Sequence, residues 1–290
     1  MPVKYQLGRI MAAACCLLMA VRPASAQEDI TDTVTQKVTQ AFYSTRVIQS
    51  QSIEMLHKGN LDVRILHRFG PVDQGIKELF GIDQASMRMG FDYGISDHLT
   101  IGIGRSTYRK EYDALFKLRM LQQSRGSRTV PLSIILTAGA MIRTADETAQ
   151  NGYKPDAGDR TSFYGQLIAG RKFNRQFSFQ LIQTLLHMNY VNDGTLANTL
   201  YALGGGARYR LSKRLALTLE YNHVFSNLPA GYYNPLSAGL DIETGGHVFQ
   251  LHFSNSTGMN ERAFLTETTD RFFKGEIRFG FNLSRMFQLH

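Results

Sequence analysis

The chain has 290 residues, 43% of them hydrophobic, and contains 18 Phe, 13 Tyr and no Trp. Its formal net charge is +8, yet no run of five or six basic residues occurs, which argues against a nucleic-acid-binding protein. No segment offers 18 consecutive apolar residues, so the sequence predicts no transmembrane helix.

The first 26 residues have the three-part pattern of a secretory signal peptide. Two basic residues precede an apolar core over 10–21, and Ala24-Ser25-Ala26 provides a small-residue cleavage site. We therefore predict export, with cleavage after Ala26. Both cysteines lie within this leader, so the mature chain has no thiol for a disulfide or for a metal site. The leader removes three basic residues and no acidic residue, which leaves a mature net charge of +5.

From Leu61 onward the sequence alternates between apolar and polar residues with a period of two, which is the signature of β-strands. In the clearest hairpin, over 199–225, aliphatic and aromatic side chains share one parity, and charged or small side chains share the other. The alternation predicts twelve strands, at 61–69, 86–95, 99–104, 112–120, 133–143, 161–172, 176–188, 199–211, 215–225, 236–243, 249–254 and 276–283.

The segments between these strands alternate between long and short, as in bacterial outer-membrane barrels with long outer loops and short periplasmic turns. The turn at 122–128 is longer than this pattern predicts, and the loop at 104–111 is shorter. An even number of strands closes without a free edge. We therefore predict an all-β fold, a single antiparallel transmembrane β-barrel over residues 57–290. Residues 27–56 are interpreted as a periplasmic lead-in or plug, because the weak alternation at 44–55 would add a thirteenth strand.

One parity of the strands carries charges of both signs and is predicted to face the lumen. These charges have two interpretations, an interlocked lining that fills the barrel or a polar channel that selects solutes. The lumen-lining candidates are Arg64, Arg88, Asp92, Lys117, Arg119, Arg208, Arg210, Glu220, Asp241, Glu243, His252 and Arg278.

His252 and Ser254 lie two residues apart on one face of a strand, a spacing that can form a nucleophile–base pair. The surrounding H-x-S-N string resembles the active-site strand of outer-membrane phospholipases and lipid A deacylases. However, the alternation places both residues in the lumen, away from a lipid substrate. A metal site formed by Asp241, Glu243 and the histidines 247 and 252 is not expected, because His247 has the opposite parity to His252.

With these residues in view, the chain resembles a family of membrane-bound β-barrel proteins of unknown function from Bacteroidota. The resemblance rests on residues 42–70, 80–113 and 275–287, and above all on DIETGGHVFQLHFSNSTGMNERAF at 241–264. It implies an outer-membrane location in a Gram-negative bacterium, and it includes residues 42–56 in the domain. It implies no catalytic residue, ligand or cofactor.

The predicted function is therefore a porin-like passage for small solutes or a scaffold for a periplasmic protein partner. The barrel would be surrounded by outer-membrane lipid and lipopolysaccharide, and neither an enzymatic activity nor a cofactor is expected. Two alternatives remain, a lipid hydrolase that uses Ser254 and His252, and a soluble periplasmic β-sandwich.

Overall fold

The computed structural model of the protein describes residues 34–145, 148, 152–191, 196–226 and 228–289. The predicted signal peptide and its cleavage site lie outside these residues. Within the described ranges, no helix has the length and apolar character needed to cross a membrane.

Twelve antiparallel strands form one closed barrel, in which every strand pairs with its neighbours in sequence and the last strand pairs with the first. This architecture confirms the predicted twelve-strand, all-β barrel. The strands are β1 (Asn60–Pro71), β2 (Ala85–Ser96), β3 (Leu99–Ser106), β4 (Glu111–Leu121), β5 (Ser133–Arg143), β6 (Thr161–Lys172), β7 (Phe177–Met188), β8 (Thr199–Arg210), β9 (Leu215–Val224), β10 (Leu236–Glu243), β11 (His247–Ser254) and β12 (Arg278–Gln288).

The pleat of each strand sends alternate side chains to the two faces of the barrel wall. On β1, Asp62, Arg64 and Arg68 are buried, whereas the apolar Val63 and Ile65 between them are half-buried. The polar parity therefore faces the interior and the apolar parity faces outward, where it can contact lipid.

The long connections lie at one end of the barrel, which we call the loop end. The short connections lie at the other end, which we call the turn end. The turn end also holds both ends of the barrel sequence, where the N–H of Leu289 donates to the carbonyl of Gly59. The long turn after β4 pairs through Ser124–Arg125 with Gln36–Lys37, in a separate two-stranded sheet. This additional pairing explains why that turn is longer than the other turns at this end.

Two segments outside the strands enter the barrel. Residues 41–56, which we call the plug, are buried apart from the half-buried Tyr43 and Glu54. The second segment is a short helix, α1 (Glu261–Thr266), in the connection between β11 and β12, and all six of its residues are buried. The interior of this barrel is therefore occupied by its own chain.

Candidate functional site in the barrel lumen

The plug folds into a tight turn. The N–H of Val47 donates to the carbonyl of Ser50, and the N–H of Ser52 donates to the carbonyl of Thr45. A single bridge, between Arg46 and Gln51, is its β-structure, so the plug adds no strand to the barrel. Its remaining backbone groups therefore need partners on the inner wall.

Glu220, on β9, holds the tip of this turn. Its carboxylate accepts the backbone N–H groups of Ile48, Gln49 and Ser50 at 3.0–3.1 Å. The hydroxyl of Ser50 donates to the same carboxylate at 2.8 Å. Successive N–H groups that converge on one carboxylate form an anion-binding nest. Glu220 is only 1% exposed, so this contact is buried. The plug is thus fixed by charge-assisted hydrogen bonds.

Side chains from several other strands bind the plug backbone. Gln250 donates to the carbonyl of Val47 at 2.5 Å, and Asn282 donates to the carbonyl of Ile48 at 2.8 Å. Further contacts come from Gln180, which accepts from the N–H of Ile53 and donates to the carbonyl of Gln51, and from Lys117, which donates to the carbonyls of Thr45 and Glu54. The polar contacts therefore reach the plug from β4, β7, β9, β11 and β12.

The apolar side of the plug packs on glycines of the inner wall. A Cβ atom built on Gly206 would lie 2.9 Å from Cγ2 of Val47, and one built on Gly170 would lie 2.8 Å from Cγ2 of Ile53. Both glycines therefore make room for plug side chains. These two strand glycines mark close approach to another segment, which is one of the usual uses of glycine within a strand.

Helix α1 occupies the loop end of the lumen through both polar and apolar contacts. The side chain of Asn260 caps the helix by accepting the N–H of Ala263 at 2.9 Å. Arg262 donates two hydrogen bonds to the carboxylate of Glu111, at 2.6 and 2.9 Å. Phe264 and Leu265 pack on apolar residues of the inner wall from β4 to β9. The helix is therefore part of the folded interior.

The arginine of α1, Arg262, binds a second carboxylate, that of Glu267. Arg262 also donates to Glu267 at 2.8 Å. Burial by itself raises the pKa of the Glu267 carboxyl, but the charge and hydrogen bond of Arg262 more than offset this and lower the pKa to about 2. Glu267 therefore remains ionised, and holds the helix, at any pH well above that value.

The structure places the predicted lumen residues in two groups. Among them, ion pairs join Arg64 to Asp62 and Arg88 to Asp113, while Glu220 and Lys117 bind the plug. The buried group comprises Arg64, Arg88, Asp92, Lys117, Arg208, Glu220, Asp241 and His252. The half-buried group comprises Arg119, Arg210, Glu243 and Arg278. Some inward charges thus pair with each other, and others hold the plug.

The structure does not join His252 to Ser254. The hydroxyl of Ser254 contacts that of Ser237 at 2.8 Å and accepts the N–H of Ser256, and Nε2 of His252 has no hydrogen-bond partner among the described residues. Both side chains are buried inside the barrel. In the described part of the chain, no group of three or more acidic, histidine or cysteine residues is arranged to hold a metal ion.

The plug contacts and α1 were not expected from the sequence. Residues 44–55 have only a weak alternation, and a long loop is predicted between the strands at 249–254 and 276–283. A usable signal was nevertheless present for α1, since Asn260 is a favoured N-cap residue and is followed by the apolar Phe264 and Leu265. An exposed loop has little need for such adjacent apolar residues.

The family model described as "Membrane bound beta barrel domain (DUF5777)" matches residues 42–287. The chain belongs to this family. The match begins at Phe42, inside the plug, so the family domain includes the plug together with all twelve strands. This agrees with the resemblance seen in the sequence.

Three solved structures are similar to the chain at low sequence identity. The NanC porin is 8% identical, with a TM-score of 0.48 over 79% of this chain and 100% of that one. The KdgM porin is 8% identical, with a TM-score of 0.46 over 80% and 99%. Omp33 of Acinetobacter baumannii is 8% identical, with a TM-score of 0.41 over 79% and 99%. No curated protein matches the chain significantly.

Proposed function

We propose that the protein is an outer-membrane passage for small solutes that its own plug closes. The observation that carries this proposal is the polar character of the contact between plug and wall. Glu220, Gln250 and Asn282 bind the plug through hydrogen bonds to its backbone. When the plug is released, these groups bond to water instead, at a net cost of about 1 kcal/mol for each neutral hydrogen bond and about 1.5–3 kcal/mol for each bond to Glu220. Release of the plug would expose polar side chains of the inner wall, which water can hydrate.

The lumen also has the dimensions that such a passage requires. A barrel of eight strands is filled by its own side chains, whereas barrels of 16–18 strands enclose a channel. This barrel has twelve strands, and its interior admits a folded segment and a helix. Next to the plug, a cavity of about 240 Å³ at the turn end is lined by Tyr43, Glu54, Arg119 and Glu243, among other residues. Solutes would reach the plug from this side.

The outer-membrane location is part of the proposal. A closed barrel satisfies all backbone hydrogen bonds of a β-sheet inside a lipid bilayer. The sequence also predicts export through the leader that ends at Ala26. Together these features support insertion into the outer membrane of a Gram-negative bacterium.

A second candidate function, a scaffold for a periplasmic partner, is favoured by the segment ahead of the plug. Residues 34–37 are exposed at the turn end, where Gln36–Lys37 pair with Ser124–Arg125. This small sheet offers a strand edge to which a partner can add a strand. A partner bound there would also be attached to the plug, and it could hold the plug or withdraw it.

A reversible disulfide lock between plug and wall tests the passage. Because Cγ2 of Ile53 lies 2.8 Å from a Cβ built on Gly170, the Ile53→Cys/Gly170→Cys pair brings the two Cβ atoms within disulfide range. Both native cysteines lie in the predicted leader, so no other thiol competes in the mature chain. The Ile53→Cys single variant is the matched control, because a side chain at Gly170 alone would meet Cγ2 of Ile53.

Conductance in planar bilayers provides the readout. We expect deletion of residues 34–56 to give steady conductance, and the oxidised double-cysteine barrel to remain closed until a reductant is added. Heat-modifiable gel mobility verifies that each barrel is folded. A folded deletion variant that conducts no ions would exclude the plug as the sole gate, because α1 also occupies the lumen, and the scaffold would then be the better explanation.

A further inference from the structure

Six inward residues form one level of the barrel wall across strands β1, β12, β11, β10, β9 and β8. Strand register aligns them as consecutive cross-strand partners, in the order Arg68, Gly280, His252, Gly239, Thr218 and Arg208. Two glycines thus separate the larger side chains, and an arginine stands at each end of the row. This level lies next to the turn of the plug. Gln49 of the plug contacts Arg68 in this level and also Ser237, on β10.

The two arginines of this row differ from the other buried arginines. Six arginines of the described chain are no more than 2% exposed. Four of them form ion pairs, namely Arg46, Arg64, Arg88 and Arg262. No described residue forms an ion pair with Arg68 or Arg208. A buried charge without a counter-charge is costly, so each of these two cations needs another source of stabilisation.

Arg208 obtains stabilisation from an aromatic ring of the plug. Its guanidinium carbon lies 4.8 Å from the centre of the Tyr43 ring, which is within the range of a cation–π contact. Arg68 has no such ring among the aromatic contacts of the described residues. Its one hydrogen bond is a long contact of 3.4 Å to the side-chain oxygen of Gln49, and its Nε and Nη1 atoms have no partner.

His252 converges with Arg68 over a glycine. A Cβ atom built on Gly280 would lie 2.5 Å from Nε2 of His252 and 3.2 Å from Cδ of Arg68. Both side chains therefore extend across the space that the glycine leaves. His252 is 2% exposed, and its Nε2 atom, which faces Gly280, lacks a partner, so two incompletely satisfied side chains meet at one point. The nearby carboxylate of Glu220 is already saturated by the plug.

We infer that Arg68 and His252 form a binding site for a small oxyanion, a carboxylate or a phosphate, between the barrel wall and Gln49 of the plug. A guanidinium presents its N–H groups in a fork that matches two oxygens of such an anion. A neutral imidazole retains one N–H donor that can contact the same ligand. An anion supplies the charge that Arg68 lacks, whereas a cation or an apolar ligand leaves these donors unsatisfied.

The site is formed while the plug is in place, so it does not depend on the passage proposed above. The ligand chemistry is shared by carboxylates and phosphates, and acetate and inorganic phosphate serve as separate probes. The Arg208→Gln variant is a matched control, because Arg208 is equally buried and unpaired at the other end of the same row but faces Tyr43.

The experiment is calorimetric titration of the full mature chain in detergent micelles with inorganic phosphate and, separately, with sodium acetate. We expect saturable binding of at least one probe to the unaltered protein. Arg68→Gln should weaken this binding at least tenfold, His252→Gln should weaken it severalfold, and Arg208→Gln should change it less than twofold. Gel mobility before and after heating verifies folding, and Arg68→Lys replaces Arg68→Gln if that variant does not fold.

A second measurement locates the ligand directly. Crystals of the full mature chain soaked in arsenate, the heavier analogue of phosphate, should show an anomalous peak within hydrogen-bond distance of Arg68 and His252. Absence of saturable binding by either probe would overturn the inference. An equal loss of affinity in Arg208→Gln and Arg68→Gln would also overturn it, because it would indicate a diffuse electrostatic effect of the lumen.

Discussion

Arg46 of the plug and Glu261 of α1 form a buried ion pair, with 3.5 Å between Nη1 and Oε1. Their side chains are 2% and 3% exposed. Among the described residues, this is the one ion pair that joins the plug to the loop helix. The two segments that occupy the lumen, which enter from opposite ends of the barrel, are therefore coupled to each other.

This ion pair should be detectable as a coupling energy. Arg46→Gln and Glu261→Gln each leave one buried charge without its partner, so each should destabilise the protein by about 3 kcal/mol. The double variant should be less destabilised than the sum of the two, with a coupling of about 1–3 kcal/mol. Urea unfolding in lipid vesicles measures these values. As a control, Arg46→Gln should be additive with Glu276→Gln, a change at a half-buried loop residue that pairs with Arg271.

Glu220→Gln should loosen the plug without opening the barrel wall. The substitution removes the negative charge that the N–H groups of residues 48–50 share, and charge-assisted hydrogen bonds contribute about 1.5–3 kcal/mol each. We expect exchange of the amide hydrogens of residues 48–50 to accelerate by at least about tenfold. Mass spectrometry measures this rate.

The matched control for this substitution is Glu243→Gln. Glu243 is another inward glutamate, and its carboxylate makes no hydrogen bond to any described residue. Its substitution should leave amide exchange in the plug unchanged. Equal acceleration in both variants would mean that the net charge of the lumen, rather than the contact of Glu220, holds the plug.

Two adjacent glycines of β8 should respond differently to substitution. In Gly206→Val, the new Cβ would meet Cγ2 of Val47 at 2.9 Å, so the plug should be displaced. In Gly205→Val, the new side chain faces outward, where the nearest atoms belong to the Phe179 ring at 3.6 Å, an ordinary contact. Valine suits a strand at both sites. We expect both barrels to fold, and only Gly206→Val to raise the conductance.

Acidification should release α1 only at very low pH. The folded-state pKa of Glu267 is about 2, below its ordinary value of 4.5. A lowered pKa means that this carboxylate stabilises the folded protein above pH 4.5, and that the stabilisation is lost as the pH falls from 4.5 towards 2. The shift corresponds to roughly 3 kcal/mol.

Proteolysis of the 255–277 connection across this pH range, with an acid-stable protease, provides the measurement. The unaltered protein should become susceptible progressively between pH 4.5 and 2. In Glu267→Gln, this part of the pH dependence should be absent. Glu243→Gln, on β10 and outside this connection, should behave like the unaltered protein. A profile that is identical for all three proteins would contradict the role assigned to Glu267.

The barrel wall was predictable from sequence because each strand has its own alternation of apolar and polar residues. Alternation alone places Arg64 or Glu220 on the inward face, since a strand has only two faces. The same alternation does not reveal what the inward side chain meets. The partner of Glu220 is a turn at 48–50 that is remote in sequence. Glu220 binds the backbone N–H groups of this turn, and almost every residue type has such a group, so the sequence does not reveal the contact.

The contacts of the plug and the helix α1 were missed for different physical reasons. The plug is stabilised by wall side chains that bind its backbone, so it needs no periodic pattern of its own. Helix α1 spans six residues, too few for a helical period to emerge, although Asn260 marks its start. Its burial follows from tertiary contacts such as that of Arg262 with Glu111, which are 151 residues apart in sequence.

The plug is covalently joined to β1 through residues 57–59, at the turn end of the barrel. A displaced plug therefore remains attached to the barrel. Its 16 residues can reach at most about 55 Å when fully extended. Rebinding is an intramolecular reaction with an effective concentration on the order of millimolar. Closure should thus be fast and independent of protein concentration. A free peptide of the same sequence would need roughly millimolar concentration to block a barrel that lacks its plug.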